Sequence, residues 1–248
     1  MNTGPKLAEG KTKIIYAHPS DDALAVMVQK DSISAGDGAR RNTIAGKGAL
    51  SGRTAANVFA LLNRSGIRTH LVESPEPGTM VVQRCAMIPL EVVMRRLATG
   101  SFLKRNPGTA EGTRFDPPLV EFFLKDDARH DPQISEGEIA AQGIASAAEV
   151  EQMIGDGRRV FAALEAAWAA QDVALVDLKI EFGRDAGGAL IVADMIDNDS
   201  WRLWPGGEKD RMLDKQVYRN MQQVDEAGLA QVRDLYETVA GLTDGWRA

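Results

Sequence analysis

The chain has 248 residues, 44% of them hydrophobic and 26% charged, with a net charge of −6 and one cysteine, Cys85. That length buries a sizeable core as one large domain or two small lobes. The acidic balance excludes a general nucleic-acid binder but leaves anionic small substrates open, because those answer to the local field. A single cysteine excludes an intramolecular disulfide and a Cys-rich metal site. The opening residues, 1–6, carry no apolar signal segment, and no run approaches the roughly 18 apolar residues of a membrane span. A soluble cytoplasmic protein without membrane contact is expected.

In chain order, Lys13 to Tyr16 and Ala23 to Gln29 are short apolar runs on either side of the turn-forming segment 18–22, and read as strands. Ser51 to Asn63 places Ala55, Val58, Phe59, Leu61 and Leu62 at helical spacing, with Gly66 as its stop. Strands return at Arg68 to Glu73 and Thr79 to Met87. Pro89 then suits the first turn of a helix over Leu90 to Thr99. Residues 100–134, punctuated by Gly and Pro yet rich in charge, read as a functional loop region. Ala147 to Ala170 is a long helix, with Val150, Met153, Val160, Phe161, Leu164 and Trp168 broadly on one side. A last helix covers Glu226 to Leu242, with Leu229, Val232, Leu235, Tyr236 and Val239 as its stripe; periodicity leaves open whether it caps the core or joins a homo-oligomer. Strands and helices mix without regular βαβ alternation, so the fold class is α+β.

The segment after the long helix carries the densest chemistry. Val176, Leu178, Ile180 and Phe182 alternate with Asp177, Lys179 and Glu181, so a strand would put the three charges on one face. A solvated strand face has the same alternation. A second apolar run, Leu190 to Ala193, follows a Gly-rich gap and leads into Asp194, Asp197, Asp199 and Arg202. A hairpin would bring carboxylates of both strands beside a Lys and an Arg, which is a divalent-metal and phosphate site. Four other segments are weaker. Lys11 and Lys13 flank one residue after Gly10 and suit a polyphosphate, or equally a solvated edge strand. Asp37 and Arg40 lie in a loop of small residues. Arg95 and Arg96 precede the Gly100-Ser101 turn, where arginine forks and a hydroxyl fit a phosphate monoester. Lys125, Asp126, Asp127, His130 and Asp131 crowd seven positions, but His130 has no companion histidine motif, so a zinc site is not expected. Lys215 and Arg219 are one turn apart on a predicted helix. No Walker A loop or dinucleotide fingerprint is present.

Taken in order, the blocks EGKTK, SAGDGAR, IPLE, ATGSFLKRNPG, FFLKDDARHDP, VDLKIEFG and DNDSWRLWPGG resemble the SAICAR synthetase (phosphoribosylaminoimidazole-succinocarboxamide synthase) family, from Glu9 to about Arg219. The wording is most similar to the synthetase half of the animal bifunctional enzyme. Where many bacterial members carry Glu, Ser and Pro in the last block, this chain has Met195, Asp197 and Asn198, while Asp194, Asp199 and Arg202 keep their places.

The resemblance implies a two-lobed α+β fold, with an N-terminal antiparallel β lobe (1–88) that binds nucleotide and a larger α+β lobe (89–248), and ATP in the cleft. It implies an ATP-dependent ligase that joins L-aspartate to the carboxylate of carboxyaminoimidazole ribonucleotide. Lys11 and Lys13 would bind ATP phosphates under Gly10, Gln83 would lie in the adenine-contacting segment 83–91, and Glu181 and Asp194 would hold Mg²⁺. Lys179 would stabilise the transferred phosphoryl group or the substrate carboxylate. Arg95, Ser101 and Arg202 would grip the ribonucleotide phosphate, with Asp199 on the sugar or imidazole side and Lys215 and Arg219 among the substrate-binding groups. Asp37 and Arg40 would shape the imidazole carboxylate pocket. Lys125, Asp127 and Asp131 would lie near the incoming aspartate, one carboxylate taking the amine proton. The rival readings are a small-molecule kinase of related fold and a nucleotide-binding regulator that has lost its chemistry.

Overall fold

The computed structural model describes residues 2–36 and 38–247, the side chain of Asp127 excepted. The chain opens with β1 (Lys6–Glu9), β2 (Lys13–Ala17) and β3 (Leu24–Gln29), then the small hairpin β4 (Ser32–Ala35) and β5 (Arg40–Thr43). Helix α1 (Lys47–Arg64) follows, then β6 (Leu71–Glu76) and β7 (Thr79–Gln83). Strands β1-β2-β3-β7-β6 form a wholly antiparallel sheet in that order. Helix α1 lies against β3, β6 and β7. A Cβ at Gly52 would fall 2.6 Å from the Gly78 Cα, so the helix sits on the β6–β7 turn only because both residues are glycine.

The second sheet is assembled around one long strand. After β8 (Ala86–Met87) and β9 (Leu90–Leu97) come α2 (Ser101–Arg105), β10 (Arg114–Leu124), β11 (Gln133–Ile134), α3 (Glu136–Ala141) and α4 (Ala147–Ala169). Then follow β12 (Val173–Arg184), β13 (Leu190–Ala193), β14 (Trp201–Pro205), α5 (Gln216–Asn220) and α6 (Glu226–Thr243). The N-terminal half of β12 pairs with β14 and β9, and its C-terminal half with β13 and β8. Strands β10 and β11 extend the sheet beyond β9. The two sheets are stitched where His70 N–H donates to Val192 O (2.9 Å) and Val192 N–H to Arg68 O (3.0 Å).

Two predicted elements are corrected. The segment predicted as a helix over Leu90 to Thr99 is instead strand β9, Leu90–Leu97: Leu90, Val92 and Met94 turn into the core while Glu91, Val93 and Arg95 face the other way. Residues 100–134 are not a plain loop, because β10 occupies eleven of them and accommodates Pro117 and Pro118 at a register shift, where proline costs no ladder hydrogen bond. Strand β14 was also unmarked in the sequence pattern.

Helix α4 covers β9, β10 and β12, and both it and α3 begin with a Ser–Glu capping box (Ser146/Glu149 and Ser135/Glu138). The main core runs continuously from Ala25 and Met27 through α1 and α4 to Trp246. Trp168 closes it, edge-on to Trp201 and Trp246 with ring centroids 5.3 and 4.7 Å apart. A second cluster of Ile33, Ile44, Tyr218, Val232 and Tyr236 seats the β4–β5 hairpin on α5 and α6. Truncating Trp168→Ala removes a fully buried indole and should cost about 3–5 kcal/mol in urea unfolding. A loss under about 1 kcal/mol would mean that this core collapses around the gap.

Candidate active site

Between the first sheet and β12–β13 lies a cleft of about 390 Å³ with an apolar wall of Leu7, Ile15, Ala25, Met27, Val82 and Met87. Its inner end is ionic, formed by Lys13, Lys125, Glu181 and Asp194. A flat aromatic ring suits the wall and a polyanion suits the lysines. Gly10, which does not line the cleft, donates its N–H to Lys13 O across a tight turn (2.9 Å).

The ionic end is a product of strand register. Glu181 pairs with Ala193 across the β12–β13 ladder, which places Asp194 directly beyond it. Asp194 holds a left-handed backbone (φ 66°), a conformation a non-glycine residue adopts only when its surroundings impose it. Lys13 pairs with Asp194; Lys125 Nζ lies 2.5 Å from Glu181 Oε2; Lys179 Nζ lies 2.9 Å from both Glu181 Oε1 and Glu91 Oε1. Burial alone would push the Asp194 carboxyl up, but Lys13, Lys179 and Lys125 together hold it well below the usual carboxylate range. Burial likewise works against charge on Lys179, and Glu181, Glu91 and Asp194 outweigh it and raise the ammonium pKa. Asp194 and Lys179 are therefore ionised at neutral pH, and both Glu181 oxygens are already engaged by lysines.

Lys179 also lines a second cleft of about 330 Å³, with Arg95, Ser101, Asp199, Arg202 and Arg219. Its floor is a chain of guanidinium–carboxylate pairs. Arg202 and Arg95 share Asp177 Oδ2 (2.9 Å from Arg95 NH1), Arg95 Nε donates to Glu121 (2.5 Å), and Arg105 to the same carboxylate (2.6 Å). Gly100 (φ 60°) presses on this floor, since a Cβ there would fall 2.5 Å from Arg202 NH2. Asp199 is fixed by Tyr236 OH on Oδ1 (2.5 Å) and Lys215 Nζ on Oδ2 (2.7 Å).

Most residues singled out from the sequence meet at these two clefts: Lys13, Gln83, Lys125, Glu181 and Asp194 at the first, and Arg95, Ser101, Lys179, Asp199, Arg202 and Arg219 at the second. Others do not. Lys11 is exposed, its carbonyl accepting from Ser32 Oγ (2.6 Å). Arg40 donates to the Tyr218 carbonyl (3.0 Å), and Asp131 turns inward to accept from Asp126 N–H (2.8 Å). Arg95 and Arg96 are on a strand and not at a helix end, so they diverge, and Arg96 forks onto Glu165 of α4. Lys215 precedes α5 and Arg219 lies within it. Asp37 and the Asp127 side chain fall outside the described residues. Met195 packs in the core, with Gln29 Nε2 3.2 Å from its sulfur.

Sequence reasoning missed the roles of Glu91, Asp177, Tyr236 and Lys47. The only signal for Tyr236 was a hydroxyl on a buried stripe, which needs a partner. The β9–β12 pairing that positions Glu91 and Asp177 was hidden by reading β9 as a helix.

An apolar cleft joined to a cationic one through the Lys179–Glu181 ion pair is the layout of an enzyme that uses a nucleotide together with a second, anionic substrate. Residues 6–235 match the profile of the SAICAR synthetase family, and the chain belongs to that family. It is 73% identical over 246 residues to the phosphoribosylaminoimidazole-succinocarboxamide synthase of Roseiflexus sp. (strain RS-1), covering 99% of each chain. Likeness to the bifunctional carboxylase/synthetase of Drosophila melanogaster is lower, 46% over 243 residues, covering 96% of this chain and 57% of that one. The structure superposes on a SAICAR synthetase (Type-2) in complex with ADP with a TM-score of 0.86 at 33% identity, covering 96% of this chain and 97% of the other.

His70 borders the first cleft, fully buried against Phe59, and its Nε2 has no hydrogen-bond partner among the described residues. Burial pushes its imidazole down to about 4 from an ordinary 6.5. Between those values the unfolded chain binds the proton and the folded one does not, so stability rises with pH and is lost as pH falls through the window. From pH 6.5 to pH 5 the urea-unfolding free energy should drop by about 2 kcal/mol. His70→Gln should flatten that slope, and an unchanged slope in the variant would refute the assignment.

Proposed function

We infer that this protein is the ATP-dependent ligase that joins the amine of L-aspartate to the carboxylate of carboxyaminoimidazole ribonucleotide, giving SAICAR, ADP and phosphate in purine biosynthesis. The match to the family along nearly the whole chain carries the conclusion. The two clefts give it a physical form. A carboxylate is a poor electrophile, so its oxygen first attacks the γ-phosphorus of ATP, giving an acyl phosphate and releasing ADP. The aspartate amine then attacks the acyl carbon, phosphate departs with the C–O bonding pair, and the amine loses a proton. Such chemistry asks the protein for positioning and charge neutralisation.

In this reading ATP lies in the apolar cleft and its phosphates point to Lys13 and Lys125. The ribonucleotide lies in the arginine-lined cleft, with its phosphate on Ser101 and Arg202. Arg95 sits beneath, two of its nitrogens spent on Glu121 and Asp177, so its part is to hold the floor. Lys179 lines the second cleft and pairs with Glu181 of the first, which places it for the transferred group. Residues 1–88 supply most of the nucleotide wall, and 89–248 the second cleft and the ionic cluster. Glu181 and Asp194 fit a magnesium ion: two hard carboxylate donors at the phosphate end are what this metal takes alongside substrate phosphates. Bound there, the ion would neutralise charge on the phosphoryl oxygens. Asp127, in the loop after β10, is the assigned acceptor of the amine proton. Among the described residues no helix is long and apolar enough to cross a membrane.

Phosphate release from Mg-ATP should require carboxyaminoimidazole ribonucleotide and L-aspartate together. ADP formation that ignores aspartate, without free phosphate, would favour a kinase instead. Glu181→Gln, which keeps the shape of the side chain and removes its charge, should lower turnover about a hundredfold or more, the scale for losing one preorganised electrostatic group. Near-normal turnover in that variant would remove Glu181 from the nucleotide site.

A further inference from the structure

Asp199 reaches the second cleft from the loop between β13 and β14, but its carboxylate is held from below by other segments. Tyr236 OH on α6 donates to Oδ1 at 2.5 Å, and Lys215 Nζ donates to Oδ2 at 2.7 Å. The Asp199 peptide N–H in turn donates to Asp197 Oδ1 at 2.9 Å. Tyr236 is 1% exposed, packed among Ile33, Ile44 and Val232, and the buried Lys47 ammonium lies 5.1 Å from its ring centroid. The Asp199 side chain keeps 24% of its exposure, so it still opens to the cleft. Burial pushes the Asp199 carboxyl up, but Lys47 and Lys215 outweigh it and keep the group ionised.

Each carboxylate oxygen has two lone-pair directions, and here one on each oxygen is spent on a buried donor. The remaining directions are thereby fixed. Around them the cleft is lined by Lys179, Arg202, Arg219 and Ser101, while its other carboxylates, Glu91 and Asp177, are engaged by Lys179 and by Arg95 and Arg202, so Asp199 is the acceptor set among groups that bind anions. It selects a ligand that is anionic at one end and carries O–H or N–H donors at the other.

We propose that Tyr236 is a positioning residue: its hydroxyl aims the Asp199 carboxylate at the sugar-hydroxyl or ring-amine donors of the phosphorylated substrate, so that the C-terminal helix sets affinity for that substrate and not for the nucleotide. The proposal rests on the ligase reading for the identity of the substrate. Preorganisation is the physical gain, because an Asp199 free to rotate must be ordered at each binding event.

The test is steady-state kinetics and thermal unfolding of wild type, Tyr236→Phe and Thr243→Val. Tyr236→Phe keeps the ring and removes one hydroxyl. Thr243→Val removes a buried hydroxyl from the same helix, one bonded to Asn57 (2.9 Å) and remote from both clefts. Tyr236→Phe should raise KM for carboxyaminoimidazole ribonucleotide about tenfold, the scale of a lost hydrogen bond to a charged group. KM for ATP and L-aspartate should stay within about twofold, and Tm should fall no further than in Thr243→Val, as expected when one contact to one substrate is lost. An unchanged ribonucleotide KM, or a rise in all three KM values together, would overturn the proposal. Wild-type protein that releases no phosphate would overturn the ligase reading instead. Calorimetric titration of the ribonucleotide into wild type and Tyr236→Phe would then read the positioning claim by itself: weaker binding by the variant supports it, and equal binding refutes it.

Discussion

Glu181 is the constraint on which the rest of the structure depends. It lies on β12, a strand covered on one face by α4 and flanked on both edges by other strands, and its side chain is 2% exposed. An ionised carboxylate in such a place is tolerated only if it is paired. The pairing groups are Lys125, at the end of β10, and Lys179, two residues earlier on the same face of β12. Lys179 in turn engages Glu91 on β9, and Asp194 beyond β13 engages Lys13 on β2. The pairs centred on Glu181 thus tie β12 to β9 and to the end of β10, and the neighbouring Asp194–Lys13 pair ties the end of β13 to β2 of the first sheet.

The same cluster is the wall between the two clefts, which gives the packing its functional sense. Without ligands, lysine ammonium groups neutralise Glu181 and Asp194. In the proposed reading a nucleotide polyphosphate would bring oxygens to those lysines and a divalent cation would take over the carboxylates, so that one set of ion pairs would replace another and no charge would be stranded. The arginine-lined cleft is arranged differently. Its floor alternates three guanidinium groups (Arg202, Arg95, Arg105) with two carboxylates (Asp177, Glu121), which makes it a rigid support with cationic excess, and Gly100 lies too close to Arg202 to admit a side chain.

The α+β class, the long helix α4, the C-terminal helix α6 and the β12–β13 hairpin were legible because each is a local pattern: period 3.6 in the helices, period two in β12. The alternation of Asp177, Lys179 and Glu181 placed these charges on one face, as the structure has them. Strand β9 was not legible. Leu90, Val93, Met94 and Leu97 fit a helical stripe as well as Leu90, Val92 and Met94 fit a strand face, and pairing with β10 and β12, remote in sequence, decides between them. That one ambiguity hid the Glu91–Lys179 and Arg95–Asp177 pairs. Lys11, Arg40 and Asp131 read as binding groups by residue type, and that the structure leaves them off the lining of the two clefts was invisible without the backbone path. Met195, in place of a family glutamate, proves to be a core residue, so the change alters packing while Asp194 keeps its position beside Lys13.

The measurement that bears most directly on the shared ionic cluster is calorimetric titration of ADP with and without Mg²⁺, on wild type and on Asp194→Asn. If Glu181 and Asp194 seat the cation at the phosphate end, Mg²⁺ should tighten ADP binding to the wild type, and that gain should vanish in the variant. An equal gain from Mg²⁺ in both proteins would contradict the account and place the cation elsewhere.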